Sequence, residues 1–184
     1  MKKQTTFASG IASILIAYTS LVGPAATAGP TNVPLKGNIA ISESLTIANT
    51  PNAPSCPTPL AGMSVGIGNI SYFGKIAYVG TDCVLPNGNN FDFSKGAFTI
   101  TAANGDQIYG TYSGTFKPTG ISPLSKMPIY TISGGTFTIT HGTGKFVHAQ
   151  GQGQLNGTEE LSATPFDPDT PSHGQFQLTG SIRY

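Results

Sequence analysis

The 184-residue chain carries nine Lys+Arg against eight Asp+Glu, so charged side chains make up only 9% of it and the formal net charge is +1. That balance, with no basic patch and no acidic tail, excludes the electrostatic footprint of a nucleic-acid binder and gives no basis for electrostatic membrane attachment. Its 24 Gly residues, with Thr and Ser standing where Lys and Glu are usual, disfavour helices and suit strands joined by tight turns.

Residues 1–28 read as a signal peptide. Lys2 and Lys3 supply a positive start, an apolar run follows from Phe7 to Val22, and Ala26-Thr27-Ala28 offers small residues for cleavage after Ala28. A retained anchor fits less well, because the run falls short of the ~20 apolar residues a spanning helix needs and is broken by Ser, Thr and Gly. The expected location is secreted or periplasmic. What remains is one ordinary domain, long enough to bury a core. Residues 29–61 supply its N-terminal strand and a Pro-rich loop, and residues 62–184 complete the same domain.

The first strand is clear: Ile39, Ile41, Glu43, Leu45 and Ile47 alternate with Asn38, Ala40, Ser42, Ser44 and Thr46. One carboxylate therefore sits on the apolar face. Pro51, Pro54, Pro57 and Pro59 then surround Cys56 in a surface loop, since prolines at that density cannot form a central strand. Cys56 and Cys83 are the two cysteines, and in an exported protein such a pair is most simply a disulfide. Closing that loop is worth about 3.6 kcal/mol on the chain-entropy model. A metal site is the alternative, but no histidine lies near enough in sequence to complete one.

From Gly62 to about Val84 runs a long β segment interrupted by Gly66, Gly68, Gly74 and Gly80, where bends or close backbone approaches are expected. Leu85 to Asn89 reads as a turn. Gly96–Thr101 and Gly135–Thr140 both read G-x-F-T-I-T, and each runs into a Gly turn and another strand. Asn104-Gly105 marks a hairpin. Ile108, Gly110, Tyr112, Gly114 and Phe116 share one face of the next strand, with Tyr109 on the other. Lys117 to Pro128 reads as a loop, Ile129–Thr140 and Phe146–Leu155 as a hairpin, and the region of Pro165, Pro168 and Pro171 as a second Pro-rich loop. Phe176, Leu178, Gly180, Ile182 and Tyr184 alternate along the last strand. Seven or eight antiparallel strands result, and the fold is all-β: a closed or nearly closed antiparallel barrel of about eight strands, or a sandwich. The glycine placement favours the barrel, which needs bends at its corners.

Gly142-Thr143-Gly144-Lys145-Phe146, with Ala149 and Gly151, resembles the G-T-G-[KR]-F-x-x-A-x-G signature of the allene oxide cyclase and dirigent barrel superfamily. The stretch Tyr109-Gly110-Thr111-Tyr112-Ser113-Gly114 is similar to its exported bacterial branch. The resemblance implies an eight-stranded barrel with an apolar cavity, often oligomeric, whose plant members steer reactive intermediates without a cofactor. Their active-site carboxylates and arginines match no positions here, so no activity transfers. Physically, Gly142 and Gly144 would allow positive φ in a hairpin while Phe146 packs inward.

Glu43 is the candidate for chemistry. Inside a barrel it would point into a pocket between Ile41 and Leu45, and burial would raise its pKa. Alternatively a bulge turns it to solvent, or it pairs with Lys36, Lys75 or Arg183. Tyr109, Tyr112 and Phe116 are candidates to line a ligand pocket. His141, His148 and His173 make no metal set, because a third ligand of fixed geometry is missing. Glu159-Glu160 and Asp167-Pro168-Asp169 read as solvated surface. No nucleophile elbow, phosphate loop or zinc-protease motif occurs, and no cofactor is implied.

Three functions fit this chemistry. One is an exported barrel binding a small apolar or aromatic ligand. The second is a structural or interaction protein, its barrel filled by side chains, acting through its loops or as a homo-oligomer. The third is an outer-membrane barrel, suggested by the alternating last strand and its terminal Tyr184, against which stand the cysteine pair and the glycine-broken strands.

Overall fold

The computed structural model describes residues 32–51 and 53–184; the predicted signal peptide lies outside them. Eight strands follow in order: β1 (Val33–Ile47), β2 (Leu60–Ile70), β3 (Gly74–Asn87), β4 (Asn90–Ala102), β5 (Gln107–Ile121), β6 (Pro128–Gly142), β7 (Gln150–Glu160) and β8 (Ser172–Arg183). Each pairs antiparallel with the next, and β8 returns to β1, closing the barrel. A short 3₁₀ turn, Gly144–Phe146, is the one helical piece among the described residues.

Period-two alternation sorts the strands, cleanly in β1 and β8 and with breaks at the register shifts of β4, β5 and β6. Along β1, Leu35, Ile39, Ile41, Glu43 and Leu45 are buried while their neighbours face out. On β7 and β8 the outward rows are Gln150, Gln152, Gln154 and Asn156, and Gln175, Gln177, Thr179 and Ser181. On these two strands the outside is polar, whereas β2 and β3 turn Met63, Val65, Ile67 and Val79 outward.

Eight strands leave room for side chains and little else. Large rings fit because glycine faces them from the adjacent strand. A Cβ at Gly96 on β4 would stand 2.6 Å from the Tyr112 ring, and one at Gly114 on β5 would stand 2.6 Å from that of Phe93. These glycines are clearance rather than flexibility.

Several sequence boundaries need correction. The segment from Gly62 to Val84 is two strands joined at Ser71–Phe73, where Tyr72 takes φ 69° and Gly74 φ 69°. That tight turn carries none of the usual Asn-Gly or Pro-Gly signals. The turn after Leu85 is also shorter, because β3 runs on to Asn87. The stretch predicted as a loop from Lys117 to Pro128 instead extends β5 to Ile121 and starts β6 at Pro128. Pro118 pairs with Tyr130 beside a register shift, which is where a sheet tolerates a residue without an N–H.

The two ends of the barrel differ. At one end the β6–β7 connection folds inward. Phe146 is fully buried and stacks on Phe73 with ring centroids 4.0 Å apart, and Tyr184 meets Phe146 edge-on at 5.0 Å. Gly144 has φ 55°, but Gly142 does not share the left-handed region expected for it. Its role is clearance, since a Cβ there would lie 2.5 Å from the Gln107 carbonyl and 2.6 Å from that of Phe146. At the other end lie residues 48–59, 122–127 and 161–171. Cys56 and Cys83 form a disulfide with Cα atoms 5.4 Å apart, fastening the first of these loops to β3.

Phe146 is the fully buried ring on which Phe73 and Tyr184 pack to close this end of the barrel. Phe146→Ala is expected to cost ~3–5 kcal/mol, read as a lower urea midpoint with unchanged slope. A midpoint within 0.5 kcal/mol of the parent would show that the plug is dispensable.

Candidate functional site

The inward rows of β1, β3 and β7 each carry one acid near the loop-bearing end: Glu43, Asp82 and Glu159, which are 5%, 4% and 5% exposed. Small residues separate them. Between β1 and β3, strand β2 presents Gly62 and Ser64, with Gly62 opposite Asp82 and Ser64 opposite Glu43. Between β1 and β7, strand β8 presents Ser172 and Gly174, opposite Glu43 and Glu159 respectively. The acids thus stand on alternate strands with space between them.

One hydrogen bond anchors Asp82: the Tyr112 hydroxyl reaches across from β5 and donates to Oδ2 at 2.8 Å. The nearby Gly62 backbone N–H favours the ionised carboxylate, but Oδ1 is buried and has no hydrogen-bond partner. A Cβ on Gly62 would lie 2.5 Å from that Oδ1 and 3.2 Å from Glu43 Oε1, so glycine is what lets both carboxyl groups pack against β2. The Tyr78 hydroxyl joins those of Ser64 and Tyr112 beside them, while Ser172 donates to Glu159 and accepts from the Ser162 N–H.

No Lys, Arg or His is among the buried polar residues described. The acids therefore have only one another and a few hydroxyls. Burial pushes Asp82 up to about 6, although Tyr112 and the Gly62 N–H restrain it. Burial likewise lifts Glu159 to about 7, with the Asp82 charge adding to it and Ser172 opposing. Glu43 is raised well above the usual carboxylate range, first by desolvation and then by Glu159 and Asp82. At neutral pH this cluster shares protons instead of carrying three charges, and it can donate one or accept a positive guest.

Above the acids lies a cavity of about 20 Å³, lined by Glu43 and Glu159 and by Leu45, Val84, Phe91, Phe116, Tyr130 and Leu161. A second, also about 20 Å³, lies deeper among Ile39, Tyr78, Phe98, Tyr112, Phe137 and Phe176. Each has room for about one water.

The structure brings Glu43, Tyr112 and Phe116 to this end of the interior. Glu43 neither bulges outward nor pairs with Lys36, Lys75 or Arg183. Tyr109, expected to line the pocket, faces outward and stacks on His141 at 4.6 Å, because it has opposite parity to Tyr112 on the same strand. Glu159, read as solvated surface, is inside; Glu160 beside it is half-buried and faces outward. Gly142, Gly144 and Phe146 belong to the plug at the far end, and His141, His148 and His173 are exposed. Asp82 went unnoticed in the sequence, although its parity with Ile76, Tyr78 and Gly80 places it inward.

Comparison with protein-family models finds no match, and comparison with curated proteins finds none either.

The raised carboxyls fix the sign of the pH dependence. The folded protein holds protons that the unfolded chain has already released above pH ~4. Stability from these groups is full near pH 4 and is lost as pH rises through about 6 for Asp82 and about 7 for Glu159. The melting temperature is expected to fall by on the order of 10 °C between pH 5 and pH 8, and Glu159→Gln should flatten the decline. A melting temperature that is level or rising over that interval would contradict three buried acids.

Proposed function

We propose that the protein is an exported barrel that binds a small, largely apolar or aromatic molecule at its loop-bearing end. The observation that carries this reading is the cluster of Glu43, Asp82 and Glu159, buried without a cation beneath an apolar mouth. A barrel needing only to be filled would be more stable with hydrophobic side chains at those positions, since buried acids without cations cost stability. Perturbed acids beside an apolar pocket are the usual mark of a binding site.

Binding by this route requires the mouth to open, because the cavity as it stands admits about one water. Leu161 begins the segment 161–171, which is tied to the barrel by bonds from Leu161 N–H to the Pro128 carbonyl, from Leu45 N–H to the Pro165 carbonyl and from Ser162 N–H to Ser172 Oγ. Swinging this segment away exposes Phe91, Phe116 and Tyr130 to an entering ligand. The resemblance to allene oxide cyclase and dirigent barrels supports such a role only through the fold. The motif carrying it builds the plug at the opposite end.

A second reading has its own support. The two interior cavities are small, and Met63, Val65, Ile67 and Val79 form an outward apolar face on β2 and β3, with Val65 directly opposite Val79. A filled barrel that associates through this face fits both facts.

Native mass spectrometry of the mature protein, purified gently from an exporting host, separates the readings. The binding barrel should carry an added mass removed by organic extraction, and Glu43→Gln should lower its occupancy at least about tenfold without loss of fold. A clean apo mass, unshifted by a library of lipids and aromatics, would favour the filled barrel.

A further inference from the structure

Resting on the ligand-binding reading, we infer that the group recognised at the acidic cluster is a cation: an ammonium carried on a small aromatic or apolar body. Charge gives the first reason. The inner wall there presents three carboxyl groups on β1, β3 and β7 and no Lys, Arg or His, so an anionic guest would find no opposite charge and would oppose ionisation of all three. A neutral guest needs one hydrogen-bonding partner and gives no account of three.

Asp82 gives the second. Its Oδ2 accepts from Tyr112, while Oδ1 is buried with no donor at all. A buried acceptor left unpaired costs stability, and the chain supplies nothing to meet it. An ammonium brings three donors from one atom. Asp82 Oδ1 and Glu43 Oε1 both pack against Gly62, so the two carboxyl groups are neighbours. Glu43, with Glu159, also lines the mouth cavity, and an ammonium entering by the mouth would be held there, with Asp82 behind it.

The aromatic side chains give the third. Phe91 and Tyr130 lie 5.5 Å apart between centroids at the mouth, and Phe116 lines the same cavity. Rings around a desolvated cation add attraction through their faces. A bare metal ion fits less well, because no three acids among the described residues converge closely enough to hold one. Organic ammonium groups bridge more widely spaced oxygens.

Proton release is the signature. The groups facing the guest are Glu43 from β1, Asp82 and Tyr78 from β3, Tyr112 from β5, Tyr130 from β6 and Glu159 from β7, with the hydroxyls of Ser64 and Ser172 from β2 and β8. A cation entering at neutral pH favours the ionised carboxylates and expels the protons they share. Its affinity should therefore rise from pH 5 to pH 8.

The test uses the mature, disulfide-bonded protein and three probes with one body: 2-phenylethylamine, 2-phenylethanol and phenylacetate. Isothermal titration at pH 7, in two buffers of different ionisation enthalpy, reads affinity and proton release together. The amine is expected to bind at least about tenfold more tightly than the alcohol, with protons released, and phenylacetate not to bind. Asp82→Asn, which keeps an acceptor for Tyr112, should weaken the amine about tenfold and leave the alcohol unchanged. Alcohol or acid binding as tightly as the amine, or a library adduct without a basic nitrogen, would overturn the cation while leaving the ligand-binding barrel intact. Calcium ion stabilising the protein as well as the amine does would also overturn it. No binding by any probe, together with a clean apo mass, would remove the ligand-binding reading and this inference with it.

Discussion

Closure of the sheet on itself is the constraint from which the other features follow. With β8 paired to β1, every strand is hydrogen-bonded on both sides and every second side chain is turned into a space that water barely enters. Inward position then means near-complete burial whatever the side chain. For Ile39, Ile100 or Ile182 that is stabilising. For Glu43, Asp82 and Glu159 the same geometry strips hydration from a carboxyl group and keeps it protonated well above its usual range.

Parity was readable in the sequence where alternation is unbroken. The apolar rows of β1, β5 and β8 stand out, and they make Glu43 conspicuous as one acid among isoleucines. The same rule places Glu159 inward in phase with Leu155, yet the adjacent Glu160 and the Pro-rich segment beyond make the pair look solvated. Asp82 is in phase with Ile76, Tyr78 and Gly80, but the glycines that interrupt the segment hide that alternation. Tyr109 has the opposite parity to Tyr112, so alternation alone puts it outside. What no single-strand pattern contains is that three acids far apart in sequence meet. That depends on β1, β3 and β7 being brought to one height, which pairing register sets and composition does not.

The two ends divide the work of the barrel. Phe146, Phe73 and Tyr184 seal one end through aromatic packing, so the motif Gly142–Phe146 is architectural. The other end carries longer connections, the disulfide and the acids. Cys83 directly follows Asp82, so the bond to Cys56 fastens the outer side of β3 where Asp82 points in. Parity with Ile76, Tyr78 and Gly80 turns Asp82 inward, and the staple and the Tyr112 bond hold it there against its desolvation.

The acids are best understood as one titrating unit. Burial raises all three, Asp82 to about 6 and Glu159 to about 7, with Tyr112 and Ser172 opposing the rise at Asp82 and Glu159. A negative charge on any one of them opposes ionisation of the others, so near neutral pH the cluster carries fewer than three charges. The closed sheet that buries these acids is thus also what keeps them short of full charge, since the described interior holds no Lys, Arg or His to balance them.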